Sequence, residues 1–267
     1  DEQVSSTFEY PRDFDAVRFE NYLRLCRIDF RASARDLMIS MRAACEKSAG
    51  GLGMTQAGVL LFGKEPDRHV RESLLTCVRY AGIDRFDIVD RQDLAGDLIF
   101  QIEESLKFVR RNMKVGYHFG ADARRQEIAD YPLEAIREAI VNAVMHRDYY
   151  YDATRIYLHY FSNRFEIENP GGLLSGLKRE DLGQRSVRRN RLIADLLSRA
   201  GYVEAVGSGI SRMRNAIEKN GNPPLEISAS NFFVVRFFPR VAEVAGQALT
   251  ARQLRLLGLV LERKSIK

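Results

Sequence analysis

The most informative segment of this sequence is a predicted helix, Glu134-Ala-Ile-Arg-Glu138-Ala-Ile-Val-Asn142-Ala-Val-Met-His146. Glu138 and Asn142 are four residues apart, so they share one face of a helix, with His146 one turn further on. A separate apolar stripe recurs at helical spacing, formed by Ile136, Ile140, Val141 and Val144. The segment therefore predicts a largely buried helix with one polar face.

The polar face of this helix has a chemical interpretation. A buried polar side chain needs a partner, and Mg²⁺ with phosphate oxygens would supply one for Asn142, because its carbonyl oxygen is a hard ligand. Glu138, one turn away, could polarise a water molecule aimed at a terminal phosphate. The alternative is an exposed Glu–Asn face that ends at His146 and has no chemistry.

Two glycine-containing turns follow the helix. The first turn, Asn169-Pro170-Gly171-Gly172, comes after two predicted strands at 154–161 and 165–168. The second turn, Gly207-Ser208-Gly209, comes directly before a predicted helix over 210–219. Glycine allows the backbone to approach a ligand closely, and a helix N-terminus offers free N–H groups to an anion. Each turn alone is a weak signal, but their order after the Glu/Asn helix favours a phosphate-binding site.

The rest of the chain divides into three predicted units. Residues 1–118 form a small α/β connecting unit, with predicted helices at 12–28, from Ser33, from Thr55 and at 94–113, and strands at 73–82 and 87–89. A glycine-containing break at 114–120 leads into the second unit, 119–243, which ends with a strand at 232–238. The third unit, 244–267, contains an amphipathic helix from Thr250 to Glu262.

Composition is that of an ordinary soluble globular protein, with 45% hydrophobic and 29% charged residues. The sequence has no visible signal peptide or long apolar run, so a cytoplasmic location is expected.

The net charge of the sequence is +5. The stretch from Lys178 to Arg214 holds nine basic and four acidic residues, so 9 − 4 = +5 accounts for the whole excess. A local basic surface favours a phosphate-bearing partner, although a solvated basic face has the same composition.

These motifs carry a family resemblance. The segment from Glu138 to His146 resembles the N-box of the GHKL ATPases (gyrase, Hsp90, histidine kinase, MutL), Asn169-Pro170-Gly171 is similar to their Asp-x-Gly turn, and Gly207-Ser208-Gly209-Ile210 to their second glycine box. Together with His146-Arg147-Asp148-Tyr149 they resemble the divergent ATPase domain of predicted transcriptional regulators, often labelled RecG-related helicases. The resemblance covers residues 14 to 240, including Thr55 to Lys64.

The resemblance implies an α/β sandwich of the GHKL (Bergerat) type with ATP between a helical layer and a lid. It implies that Asn142 holds Mg²⁺, that Glu138 is the general base and that Asn169 reads the adenine amino group. The base and phosphates would be lined by Gly171, Gly172, Gly207 and Gly209, with His146 at the end of the N-box. A Schlafen-like (Alba-type) domain usually precedes such a module and a winged helix follows it, so 244–267 would be the start of a winged helix.

Three positions depart from the family pattern. Asn169 replaces the usual aspartate, and its amide can accept from adenine or donate to a guanine carbonyl, so both base preferences stay open. Leu173 replaces a further glycine. Met145 replaces a phosphate-contacting lysine, a charge that Arg147 could supply.

Four arginines lie between the two glycine turns, where the related ATPases place a mobile lid, and they are candidates for contact with ATP or nucleic acid: Arg185, Arg188, Arg189 and Arg191. The favoured hypothesis is a Mg-ATP-binding regulatory module in which ATP alters dimerisation or an adjoining DNA-binding domain, with slow or no hydrolysis. The alternative is a non-catalytic nucleic-acid or protein-binding module with a vestigial pocket. A helicase motor is disfavoured because the sequence has no G-x-x-x-x-G-K-[ST] loop.

Overall fold

The computed structural model describes residues 1–28, 32–48, 50–113, 115–119, 125–174, 176–184, 187–203 and 209–240, with backbone alone for 115–119 and 125–128. The predicted winged-helix start at 244–267 and the predicted contacts of Gly207 and Arg185 lie outside the described residues.

The first part of the chain contains five helices and four short strands among the described residues. In chain order they are α1 (Ala16–Leu25), α2 (Ala34–Ser40), β1 (Ala44–Glu46), β2 (Leu52–Met54), α3 (Gln56–Phe62), α4 (Pro66–His69), β3 (Leu75–Tyr80), β4 (Ile88–Leu94) and α5 (Leu98–Asn112). Ser33 and Thr55 cap α2 and α3 by accepting backbone hydrogen bonds, as their positions in the sequence predict.

The second part begins with a hairpin and contains the Glu/Asn helix. Its elements are β5 (Val115–Phe119), β6 (Arg125–Ala129), α6 (Leu133–His146), β7 (Ile156–Tyr160), β8 (Phe165–Pro170), a 3₁₀ turn (Arg179–Asp181), α7 (Arg191–Arg199), α8 (Gly209–Asn220), β9 (Glu226–Ala229) and β10 (Phe232–Phe237). Helix α6 thus has the predicted extent.

One six-stranded mixed sheet organises the molecule, in the order β4-β3-β7-β8-β10-β9. Strands β3 and β7 are parallel, with Leu75 opposite Ile156, and the other neighbours are antiparallel. The sheet therefore crosses the predicted boundary between residues 118 and 119. The two predicted units contribute to one sheet, and the division of the chain into three units stays a prediction.

Helices α5, α6 and α8 pack together, with α5 against β3 and α6 against β8, which makes an α/β sandwich, as predicted. The inward face of β7 supplies Ile156, Leu158 and Tyr160, all buried. They belong to a continuous apolar core that runs from the N-terminal helices to β10. Burial of this core is the main stabilising term and fixes α6 relative to β8.

Three predictions about local structure were wrong. Helix α5 starts at Leu98, because β4 extends to Leu94 and Asp97 caps the helix. The expected break at 114–120 contains strand β5, which pairs with β6. The alternation of His159 with the apolar residues Leu158 and Tyr160 predicts a wetter face for the histidine, but His159 is only 3% exposed, with the Tyr80 hydroxyl 3.1 Å from its Nδ1.

Candidate functional site

A cavity of about 160 Å³ lies beside α6, between the end of β8, the start of β10 and the start of α8. A cavity of about 150 Å³ accommodates a benzene molecule, so this one has room for a planar ring. Its apolar wall comes from the sheet, from residues 176–184, from the residues after α7 and from α8: Ile167, Phe233, Val235, Leu177, Leu182, Val203, Ile210 and Met213. The polar groups on the wall decide what it can bind.

Glu138 and Asn142 lie together on the cavity wall, as the helical spacing predicts. Asn142 Nδ2 donates to Glu138 Oε1 at 3.2 Å. Arg212 of α8 donates to the other carboxylate oxygen, Oε2, at 2.8 Å, and the Glu138 side chain is 16% exposed. The carboxylate is therefore held between an amide and a guanidinium group.

Gly209, the first residue of α8, packs directly on this pair. A Cβ atom here would collide with Glu138 Oε1 and lie 3.1 Å from Asn142 Nδ2. The first N–H groups of a helix have no intrahelical partner and carry partial positive charge. The start of α8 therefore combines a bare backbone with a local preference for anions, next to Asn142.

Asn169 lies at the end of β8 and lines the same cavity. Its side chain is 3% exposed, and its Oδ1 has no hydrogen-bond partner among the described residues. An unpaired buried acceptor costs about 1–3 kcal/mol, which a ligand donor would recover. Asn169 thus presents a buried hydrogen-bond acceptor at the cavity wall.

The Gly171-Gly172 turn closes one side of the cavity. Gly171 has φ = +98°, and a Cβ atom there would lie 2.9 Å from Cβ of Asp148. A Cβ atom on Gly172 would collide with the Ser230 carbonyl. Both glycines are therefore required by the close packing of this turn against its neighbours.

His146 lines the cavity one turn beyond Asn142. Burial, with Arg189 and Arg188 nearby, lowers the pKa of His146 to about 4. Its imidazole is neutral at pH 7, so it offers a donor and an acceptor but no charge.

The lid arginines separate into two groups. Arg188 and Arg189 line the cavity: Arg188 pairs with Asp195 at 3.0 Å, and Arg189 donates to the Gly172 carbonyl at 2.6 Å. Arg191 is an exposed residue at the start of α7 and does not line the cavity.

The position of Arg147 contradicts its predicted role in phosphate binding. Its side chain is 1% exposed and donates to the backbone carbonyls of Glu72, Tyr151 and Thr154. It does not line the cavity. The guanidinium instead connects the loop after α6 to the segment before β3. The three carbonyl oxygens there are buried away from water, so they need hydrogen-bond donors.

Sequence reasoning missed Arg212. It is three residues after Gly209, so it lies within the first turn of the helix whose N-terminus faces the site. The signal that could have revealed Arg212 is a basic side chain three residues after the second glycine turn.

The donor set fits magnesium held jointly with phosphates. Among the described residues, no group of three or more His, Cys, Asp or Glu side chains could hold a metal ion. Mg²⁺ usually takes one or two protein oxygens and fills its other positions with phosphate and water. The Asn142 carbonyl oxygen, beside the start of α8, is a suitable single ligand.

The sequence comparison agrees with the fold and the cavity. Residues 153–237 match the family described as "Putative ATP-dependent DNA helicase recG C-terminal". The match covers β7 to β10, including Asn169, the glycine turn and α8, and it confirms the predicted resemblance to a RecG-related ATPase-like domain for this part of the chain.

Structural comparison finds the same fold in the DIP2311 protein from Corynebacterium diphtheriae, a structural genomics target. The TM-score is 0.73 at 19% sequence identity, over 90% of this chain and 48% of that one. The chain thus spans about half the length of this relative. No curated protein matches the sequence. Within the described parts of the chain, every helix is too short or too polar to cross a membrane.

Proposed function

We propose that this chain is a Mg-ATP-binding regulatory module of a DNA-binding transcriptional regulator, a nucleotide-driven switch with slow or no hydrolysis. The observation that carries the proposal is the buried, unpartnered Oδ1 of Asn169 in the same cavity as the Glu138–Asn142 pair. A purine in the apolar part of the cavity would supply the missing N–H donor. The match of residues 153–237 to an ATPase-like family supports the same ligand.

Each site residue then has a defined task. Asn169 accepts from the exocyclic amino group of adenine, the Gly171–Gly172 turn packs against the ligand, and Asn142 would hold Mg²⁺, which neutralises phosphate charge when bound. Gly209 and the start of α8 face the phosphates. Glu138 would orient a water molecule, and its carboxylate accepts a hydrogen bond from Arg212.

The switch would act through the lid between the two glycine turns. Arg188 and Arg189 line the cavity from that segment, so a bound nucleotide changes what they contact. Flanking domains of a longer protein, and a homodimer partner, are the elements that such a change would control. DNA would be bound through those domains or through the exposed arginine side of the lid, such as Arg191.

Titration calorimetry of ATP with and without Mg²⁺ tests the proposal. Magnesium-dependent binding should be lost in Asn142→Ala, whereas Asn21→Ala, an exposed asparagine on α1, should bind like the unmodified chain. No binding at millimolar ATP would exclude the ATP-binding function for this chain. Nucleic-acid binding that depends on Arg191 but not on Asn142 would then favour the alternative, a module with a vestigial pocket.

A further inference from the structure

A second cavity adjoins the first, and the Glu138–Arg212 ion pair lies between them. Glu138, Arg212 and Met213 line both cavities. The second one, of about 310 Å³, lies between α6 and α8 and also carries Arg137 and Lys219. The ion pair is therefore the boundary between an apolar cavity with room for a ring and a groove lined by charged side chains.

The charges along this boundary matter for a phosphate ligand. A phosphate that reaches Asn142 comes close to the Glu138 carboxylate, and two like charges repel at that distance. Of the described arginines on the first cavity, Arg188 is engaged by Asp195, and Arg189 by Asp148 and the Gly172 carbonyl. Arg212 is the arginine that lies against Glu138 itself.

We propose that Arg212 is a phosphate-binding residue of the site and exchanges Glu138 for a nucleotide phosphate when the nucleotide binds. The inference rests on the proposed nucleotide binding and adds a residue and a movement to it. A guanidinium group can hold phosphate through two parallel hydrogen bonds, and Arg212 lies on the wall of both cavities with its Nη2 2.8 Å from the Glu138 carboxylate. The exchange leaves Glu138 without its cation, so the carboxylate becomes available to a water molecule only after nucleotide is bound.

Calorimetry with two ligands tests this assignment, because adenosine carries the base and no phosphate. Arg212→Gln should weaken ATP binding by about ten- to a hundredfold and leave adenosine binding within about twofold. Arg212→Lys keeps the positive charge but loses the two parallel N–H donors of the guanidinium group, so it should retain part of the affinity for ATP. The matched control is Arg214→Gln, an exposed arginine on the same helix, which should change neither affinity.

The exchange itself is tested by Glu138→Gln. Removal of the competing carboxylate should strengthen ATP binding several-fold and leave adenosine binding unchanged. Equal weakening of both ligands in Arg212→Gln would show a structural role and overturn the assignment. An ATP affinity that is unchanged or lower in Glu138→Gln would overturn the exchange. If the unmodified chain binds neither ligand, the proposed function fails; if it binds adenosine and ATP equally, the phosphate assignment alone fails.

Discussion

Gly209 lies on the Glu138 carboxylate so closely that no side chain fits between them. The contact joins the first residue of α8 to the middle of α6, two elements that are brought together across the cavity. A Cβ atom at residue 209 would therefore displace the end of the Glu138 side chain, unless α8 itself moved. Any displacement of α8 also moves Arg212, which is on its first turn.

We expect Gly209→Ala to displace the Glu138 carboxylate from Arg212 and Asn142 and to weaken ATP binding by about tenfold or more. Overpacking of a close contact typically costs about 1–3 kcal/mol, so the variant should fold with a lowered melting temperature. Calorimetry and thermal unfolding measure the two effects. Gly82→Ala is the control, because a Cβ atom there would meet only Asp84 Oδ1 at 3.9 Å. Unchanged ATP binding in Gly209→Ala would contradict the role of this contact.

Asn169→Leu should separate ligand binding from stability. Leucine is similar in volume and removes a buried acceptor that has no partner among the described residues, so the free energy of unfolding should not decrease and should rise by up to about 1–3 kcal/mol. ATP binding should nevertheless be lost. Denaturant unfolding and calorimetry of the same sample check this. A large loss of stability would show that Asn169 has a structural role.

The base preference of Asn169 can be measured with inosine triphosphate, in which a carbonyl replaces the adenine amino group. A site that accepts a hydrogen bond from the amino group should reject this analogue. Asn169→Asp removes the ability to donate, so it should bind ATP and reject the inosine nucleotide more strongly than the unmodified chain does. Preference of the unmodified chain for the inosine nucleotide would show that the amide donates.

Arg147→Met should destabilise the fold by about 3 kcal/mol or more. The change leaves three carbonyls, those of Glu72, Tyr151 and Thr154, without their donor. Denaturant unfolding measures the loss, and Arg191→Met, an exposed arginine, is the control that should have little effect. A variant as stable as the unmodified chain would contradict the structural role assigned to Arg147.

Stability should fall as the pH is lowered from about 6.5 to about 4. Burial lowers the pKa of His146 and of His159 to about 4, so both are neutral in the folded state where they would be charged in the unfolded chain. The unfolded state then binds more protons, and the loss reaches up to about 3 kcal/mol for each histidine. Thermal unfolding measured across this pH range tests the expected loss of stability. His159→Phe should remove about half of the dependence, and an unchanged slope in that variant would contradict the assignment.

Much of the site was predictable because it depends on local spacing. The i, i+4 relation of Glu138 and Asn142 and the apolar stripe of α6 are properties of one helix, and the structure has both. The location of Asn169 on the cavity wall follows from its position at the end of a strand. The assignments of their roles toward ATP and magnesium stay predictions.

The contacts that sequence reasoning missed join distant parts of the chain. Arg147 follows the Glu/Asn helix and Arg212 follows the second glycine turn. Only the packing shows that Arg147 is buried against backbone carbonyls and that Arg212 contacts Glu138. The continuation of β4 beyond residue 89 was missed because the next residues, such as Asp90 and Arg91, are polar and the strand lies at a sheet edge. Edge strands carry charged residues of this kind, which weakens the apolar signal.

The pairing of Leu75 with Ile156 has a consequence for how the protein is made. The partners are 156 − 75 = 81 residues apart in the chain, so one edge of β3 stays open on the ribosome until β7 has been synthesised. During that interval the β3–β4 hairpin presents an unpaired apolar edge, to which another nascent chain can add. A slower translation rate between residues 80 and 156 would prolong this exposure, and the yield of folded protein should decrease accordingly.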